Sequence, residues 1–247
     1  MKKIQKSIFP PTPKNLNHLN NLLLLENNRH FTMTFQTPES LFYQGPLTVN
    51  GTIVGVLFCN IKYIENIKNE LKNVIIAGCD GTFKTVPKTI DGDCYQLFTF
   101  HIIYKNISFP MVYALLTGKT EIIYKELFQY VRNVLPLQYD KLTIITDYEI
   151  SQINSIELVF PESTHQGCYF HYCQSILRHM RNKQIQIYNL VKVNPIAARI
   201  FRMILALPYL PSDRNSSIPS MLDGFNAIII YTVQHQEVEN AFHSKIS

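Results

Sequence analysis

With 247 residues, 46% of them hydrophobic, the chain is long enough for one large domain, or for one domain with an inserted lobe, around a sizeable core. Charged residues are sparse at 17%, against about 25% in a typical soluble domain. Five irregularly spaced cysteines with no Cys-x-x-Cys pair exclude a disulfide framework and point to a reducing compartment. Met1 to Pro11 carries Lys2, Lys3 and Lys6 but no apolar signal-peptide core. Apolar runs such as 22–25 and 227–231 are too short to span a bilayer. A soluble intracellular protein with no membrane association is expected.

The net charge of +5 is unevenly spread. From Ser163 to Ser212 there is no acid, while Arg178, Arg181, Lys183, Lys192, Arg199 and Arg202 together exceed the charge of the whole chain. On charge alone, a surface facing a polyanion and a merely solvated basic helix face are equally good readings.

Residues 1–40 read as a polar, Asn- and Pro-rich lead-in, poorly ordered in part, with a short Leu-rich patch. The pattern turns regular from Gly51. Thr52–Cys59 reads as a strand, 61–72 as an amphipathic helix and 74–79 as a strand running into Asp80. Residues 95–104 and 107–116 are rich in aromatic and β-branched side chains, and Lys105-Asn106 between them suits a hairpin turn. Thr120 opens a helix whose apolar positions recur through Ile123, Leu127 and Val134 until Pro136 stops it. A strand over 141–146 ends at Asp147, followed by a helix over 151–160 and a short strand over 164–170. Helices over 171–184, 195–207 and from Val233 onward complete the chain. A meander continued by β-α-β crossovers is an α/β fold with a mixed sheet and a helical C-terminal extension or insertion.

Two features carry chemistry. Asp80 and Asp147 each end a short apolar strand, and strand-end carboxylates in neighbouring strands can hold a divalent metal. A turn-forming Asp before Gly81, and a helix N-cap at Asp147, are the alternatives from the residues alone. Glu149 reads as a first-turn helix acid rather than a ligand. Cys168, His171 and Cys173 supply too few donors for a tetrahedral zinc site. Core packing for Cys168, and a contact to DNA or the metal site for His171, is the preferred reading.

Five words follow one another in order. They are Asp80-Gly81-Thr82-Phe83-Lys84-Thr85-Val86-Pro87, then Gln96-Leu97-Phe98-Thr99-Phe100-His101, then Phe109-Pro110-Met111-Val112-Tyr113-Ala114-Leu115-Leu116-Thr117-Gly118-Lys119-Thr120-Glu121, then Asp147-Tyr148-Glu149, and finally Gly167-Cys168-Tyr169-Phe170-His171-Tyr172-Cys173-Gln174. The series resembles the transposase domain of Mutator-like elements, from about residue 42 to 210. The resemblance implies a domain over 41–247 with a ribonuclease-H-like core, a helical region over 171–247, and an Asp, Asp, Glu triad binding two Mg²⁺ or Mn²⁺ ions that cut and join DNA. Asp80 and Asp147 match its first two acids, and Cys168 with His171 its Cys-x-x-His signature.

The family's third acid precedes a histidine by three residues on a helix. Here Asn240 holds that position before His243, and Glu239 lies one residue further back on the same helix face. Glu239 is therefore the expected third acid; Glu237, or no functional third acid, are the alternatives. The resemblance further implies DNA as partner, a homo-oligomer on transposon ends and a nuclear location, with Arg178, Arg181 and Lys183 tracking the DNA backbone. About 40 residues precede it, so the family's upstream zinc-finger region is expected to be absent. A truncated or domesticated remnant that binds nucleic acid or protein without catalysis is the competing expectation.

Overall fold

Seven strands form one mixed sheet in the order β1-β2-β5-β4-β3-β6-β7. They are β1 (Tyr43–Val49), β2 (Thr52–Cys59), β3 (Ile76–Thr82), β4 (Gln96–Tyr104), β5 (Ile107–Leu116), β6 (Thr143–Thr146) and β7 (Thr164–Gly167). The computed structural model describes residues 10–35, 38–182, 187–212, 218–236 and 238. Two units divide the chain, Met1–Cys168 and Tyr169–Ser247, and all seven strands belong to the first.

β3, β4 and β5 form the expected antiparallel meander. Its second turn is Lys105-Asn106, with φ of 51° and 63°. Positive φ at both central residues is the geometry that matches the twist of a tight hairpin. β6 then returns parallel to β3, and β7 parallel to β6. This order is compatible with a ribonuclease-H-like sheet. The β1–β2 hairpin adds two strands outside β5, with Gly55↔Leu116 through Cys59↔Val112 in register.

The core of the first unit lies between the sheet and two helices, α4 (Glu121–Val134) and α5 (Ile150–Val159). Ile123, Tyr124, Leu127, Phe128 and Val131 recur at helical spacing on α4 and are all buried. Phe128 packs edge-on against Phe98 and Phe160 and stacks on Tyr124, with centroids 5.8–6.1 Å apart. The Arg132 guanidinium lies over the Tyr139 and Phe160 rings, donates to the Val159 carbonyl at 2.8 Å and pairs with Glu162. One side chain thereby ties the end of α4 to the segment after α5.

Several elements differ from expectation. The lead-in contains α1 (Leu16–Leu23), capped by Asn15, whose side chain accepts from the His18 N–H. Leu16 and Leu22 are buried, and the Leu16 N–H donates to Asp93, so tertiary contact stabilises a helix that composition alone does not. The single helix expected over 61–72 is two, α2 (Ile61–Asn66) and α3 (Lys68–Leu71), interrupted at Ile67, whose φ is −105° and ψ 17°. β7 ends at Gly167 rather than Phe170, because the chain is already helical from Tyr169.

The described elements of the second unit are all helical: α6 (Tyr169–Arg181), α7 (Ile187–Val193), α8 (Pro195–Ala206) and α9 (Met221–Val233), with a short 3₁₀ turn over Leu207–Tyr209. Ala197, Ile200, Ile228 and Val238 form its buried centre. Asn194 caps α8 by accepting from the Ile196 and Ala197 N–H groups, ahead of Pro195 in the first turn. α9, which the sequence pattern did not announce, starts from a reciprocal Ser220–Asp223 capping box and ends at Val233. The helix expected from Val233 onward lies largely outside the described residues, with Gln236 and Val238 helical. No helix among the described residues is long and apolar enough to cross a membrane.

Candidate functional site

Because β3 and β6 run parallel with Gly78 level with Ile145, the residues two steps beyond, Asp80 and Asp147, arrive together at one end of the sheet. Alternation along the strand puts Gly78 and Asp80 on one face, and Ala77, Cys79 and Gly81 on the other. Asp80 is exposed, and Asp147, just past β6, is half-buried. The Asp147 Oδ1 accepts the Glu149 N–H at 3.0 Å, an Asx turn that fixes the carboxylate as the chain turns into α5. The Cys79 thiol is pushed well above its ordinary pKa by burial first, and further by Asp147 and Asp80, so both carboxylates lie near one sulfur.

A polar cluster backs these carboxylates. Gln96, fully buried on β4, donates through Nε2 to the Gly118 carbonyl at 3.1 Å and to the Tyr124 hydroxyl at 3.0 Å. Tyr124 is raised mainly by burial, with Glu149 and Asp147 adding to it. Glu149 accepts from the Ser151 hydroxyl at 2.9 Å and lies 3.7 Å from Lys119 Nζ. Its side chain is thus turned to Ser151 and Lys119. Gln152, buried on α5, donates to the Cys79 sulfur at 3.6 Å. The sequence reading passed over Gln96, Tyr124 and Gln152. The one available signal was a glutamine within an otherwise apolar strand, a residue type seldom buried without a reason.

Behind β6, the Thr146 hydroxyl donates to the Asp147 carbonyl at 2.7 Å and stands 2.8 Å from His165 Nε2. The hydroxyl has one proton, so His165 is the donor in the second contact and carries its hydrogen on Nε2. Burial lowers the pKa of His165, opposed in part by Glu157, and likewise that of His101, opposed in part by Asp80. As pH falls below about 6.5 the unfolded histidines protonate while the folded ones stay neutral. Their contribution is therefore whole above about 6.5 and drains away as pH falls toward the lower folded values. The urea midpoint should be lower at about pH 5.5 than at about pH 7.5, and less pH-dependent in His165→Gln. An unchanged pH dependence in that variant would remove His165 from the account.

Cys168 closes the first unit, its N–H donating to the Thr146 carbonyl at 2.6 Å, and His171 lies in the first turn of α6 in the second. Arg178 is exposed and donates to Gln174 at 2.9 Å. The Arg181 guanidinium lies 5.0 Å from the Tyr188 ring centroid, with Lys192 4.4 Å from the same ring. These cations lower the Tyr188 hydroxyl pKa, the Arg181 hydrogen bond most. Arg199 lies over Tyr231 at 4.8 Å. Lys183, Glu237 and Glu239 lie outside the described residues.

Among the described residues no three His, Cys, Asp or Glu side chains group closely enough to hold a metal. The donors that do converge, Asp80 and Asp147, are the hard oxygen type that Mg²⁺ and Mn²⁺ accept, and two carboxylates with waters are a usual Mg²⁺ set. In donor chemistry the pair fits such an ion.

Residues 76–175, spanning both acids and the Cys-x-x-His words, match the family model of the MULE transposase domain. The chain therefore carries a Mutator-like transposase domain over that stretch. No curated protein matches the chain.

Proposed function

We propose that this chain is the core of a DDE-type transposase on a ribonuclease-H-like sheet, cutting DNA and joining the freed 3′ end to a new site. The observation that supports the reading is the parallel β3–β6 pairing, which runs the strands leading to Asp80 and Asp147 toward the same end of the sheet. The family match over 76–175 supports it. In this reading Asp80, Asp147 and Glu239 would hold two Mg²⁺ or Mn²⁺ ions, which when bound stabilise the attacking and leaving oxygens of an in-line displacement. The chain's own contribution is placement: the Asx turn fixes Asp147, and the buried contacts of β3 fix Asp80.

Arg178, Arg181 and Lys183 would contact the DNA backbone, with affinity falling steeply as salt rises. DNA as substrate implies a nuclear site in a eukaryotic host, and paired transposon ends imply a homo-oligomer. The test is nicking of supercoiled plasmid by the purified chain with Mn²⁺, beside Asp80→Ala. Nicking by the wild type that disappears in the variant is the expected result. Salt-sensitive DNA binding with no nicking by the wild type would replace this reading with that of a non-catalytic remnant.

A further inference from the structure

Gln96, on β4, flanks β3 on the side away from β6. Its side chain lies on the helix-covered face of β4 with Phe98 and Phe100, all three fully buried. Through Nε2 it is held by the Gly118 carbonyl and the Tyr124 hydroxyl. Its other end faces β3. A Cβ added to Gly81 would overlap Gln96 Oε1, so the amide oxygen occupies the space a side chain would take on the residue directly after Asp80. That oxygen is buried and has no hydrogen-bond partner among the described residues.

A buried, unpaired amide oxygen is costly, and a fold retains one where another requirement holds it. Turning the amide over would not help, because the oxygen would then face the Gly118 carbonyl instead of donating to it. The requirement visible here is contact with the end of β3, beside Asp80.

We propose that Gln96 is a positioning residue for the acid site, setting Asp80 through its seat on Gly81, with Gly118 and Tyr124 holding the amide in place. It acts through the residue beside Asp80. The same contact accounts for the glycine in Asp80-Gly81-Thr82: only a residue without a Cβ leaves room for the amide. The inference rests on the reading of Asp80 and Asp147 as a cation site.

The experiment uses the full chain and two readouts. The first is Mn²⁺ affinity by calorimetry for the wild type, Asp80→Asn, Gln96→Met and Tyr124→Phe, well below each unfolding midpoint. Gln96→Met keeps the bulk and removes the amide, and should weaken Mn²⁺ about 10–100-fold, as loss of an outer-shell partner does; Tyr124→Phe should follow it in direction. The second is a thermal-unfolding cycle of Gly81→Ala in the wild type and in Gln96→Ala, where the loss of midpoint caused by Gly81→Ala should shrink once the amide is gone. Unchanged Mn²⁺ affinity in Gln96→Met, with binding lost in Asp80→Asn, would overturn the positioning role while leaving the cation site. Equal losses of midpoint in the two backgrounds would overturn the seat on Gly81. No Mn²⁺ binding by the wild type would remove the cation site itself, and the positioning role with it.

Discussion

Asp147→Asn is expected to keep the fold and lose the metal. Its Oδ1 accepts the Glu149 N–H at 3.0 Å, and an asparagine offers an oxygen in the same place, so the Asx turn that launches α5 survives. What disappears is the negative charge, half of the anionic donor set that Asp80 and Asp147 bring to the strand ends. Loss of an outer-shell partner already weakens metal binding about 10–100-fold, and loss of a ligand's charge should exceed the upper end of that range. The melting temperature should move little. Asp147→Ala makes the contrast: it removes the oxygen as well, and should lose metal binding together with about 0.5–2 kcal/mol of stability, the range for a lost helix-start acceptor. Calorimetric titration with Mn²⁺ beside thermal melts separates the two. Equal Mn²⁺ affinity in the wild type and Asp147→Asn would take Asp147 out of the site.

Phe128→Ala should be the most damaging single change in the first unit. Phe128 is fully buried, and its ring meets Phe98 on β4, Tyr124 one turn earlier on α4 and Phe160 after α5. Truncating such a ring removes its transfer free energy and leaves a cavity that three aromatic neighbours cannot collapse into, for a loss of about 3–5 kcal/mol. At the 2–4 °C per kcal/mol expected for a domain of this size, the melting temperature should fall by about 6–20 °C. The harm should reach the site, because Tyr124 packs on this ring and holds Gln96. A drop in midpoint of only a degree or two by calorimetry would mean that the sheet and α4 are not packed through this residue.

The part of the molecule legible in the sequence is the part that local pattern specifies. Two apolar runs ending in Asp80 and Asp147 announced the strands, and the β-branched and aromatic runs around Lys105-Asn106 announced the hairpin. β1 escaped notice because Gly45 and Pro46 interrupt it; Gly45 sits at φ 110°, and the register shifts between Tyr43 and Gly45. α1 was hidden by its asparagines, one of which caps the helix while another, Asn20, is buried against the Tyr43 hydroxyl. The start of α9 was written in Ser220 and Asp223, a capping pair that the sequence reading passed over. The polar cluster behind the acids was illegible for a different reason. Gln96, Tyr124 and the start of α5 with Glu149 and Gln152 come from three separate segments, and no sequence period relates residues that meet only when the sheet and helices assemble.

The hairpin β1–β2 covers the outer margin of β5 along Val112–Leu116, five residues that include four fully or nearly fully buried apolar side chains, Val112, Ala114, Leu115 and Leu116. A fragment cut to the matched stretch, 76–175, would begin at the first residue of β3 and lack that cover. It would present a bare row of backbone donors and acceptors flanked by apolar side chains, the template on which a second chain adds a strand. The outer hairpin is thus a guard against aggregation, and any excised version of this domain needs to carry it.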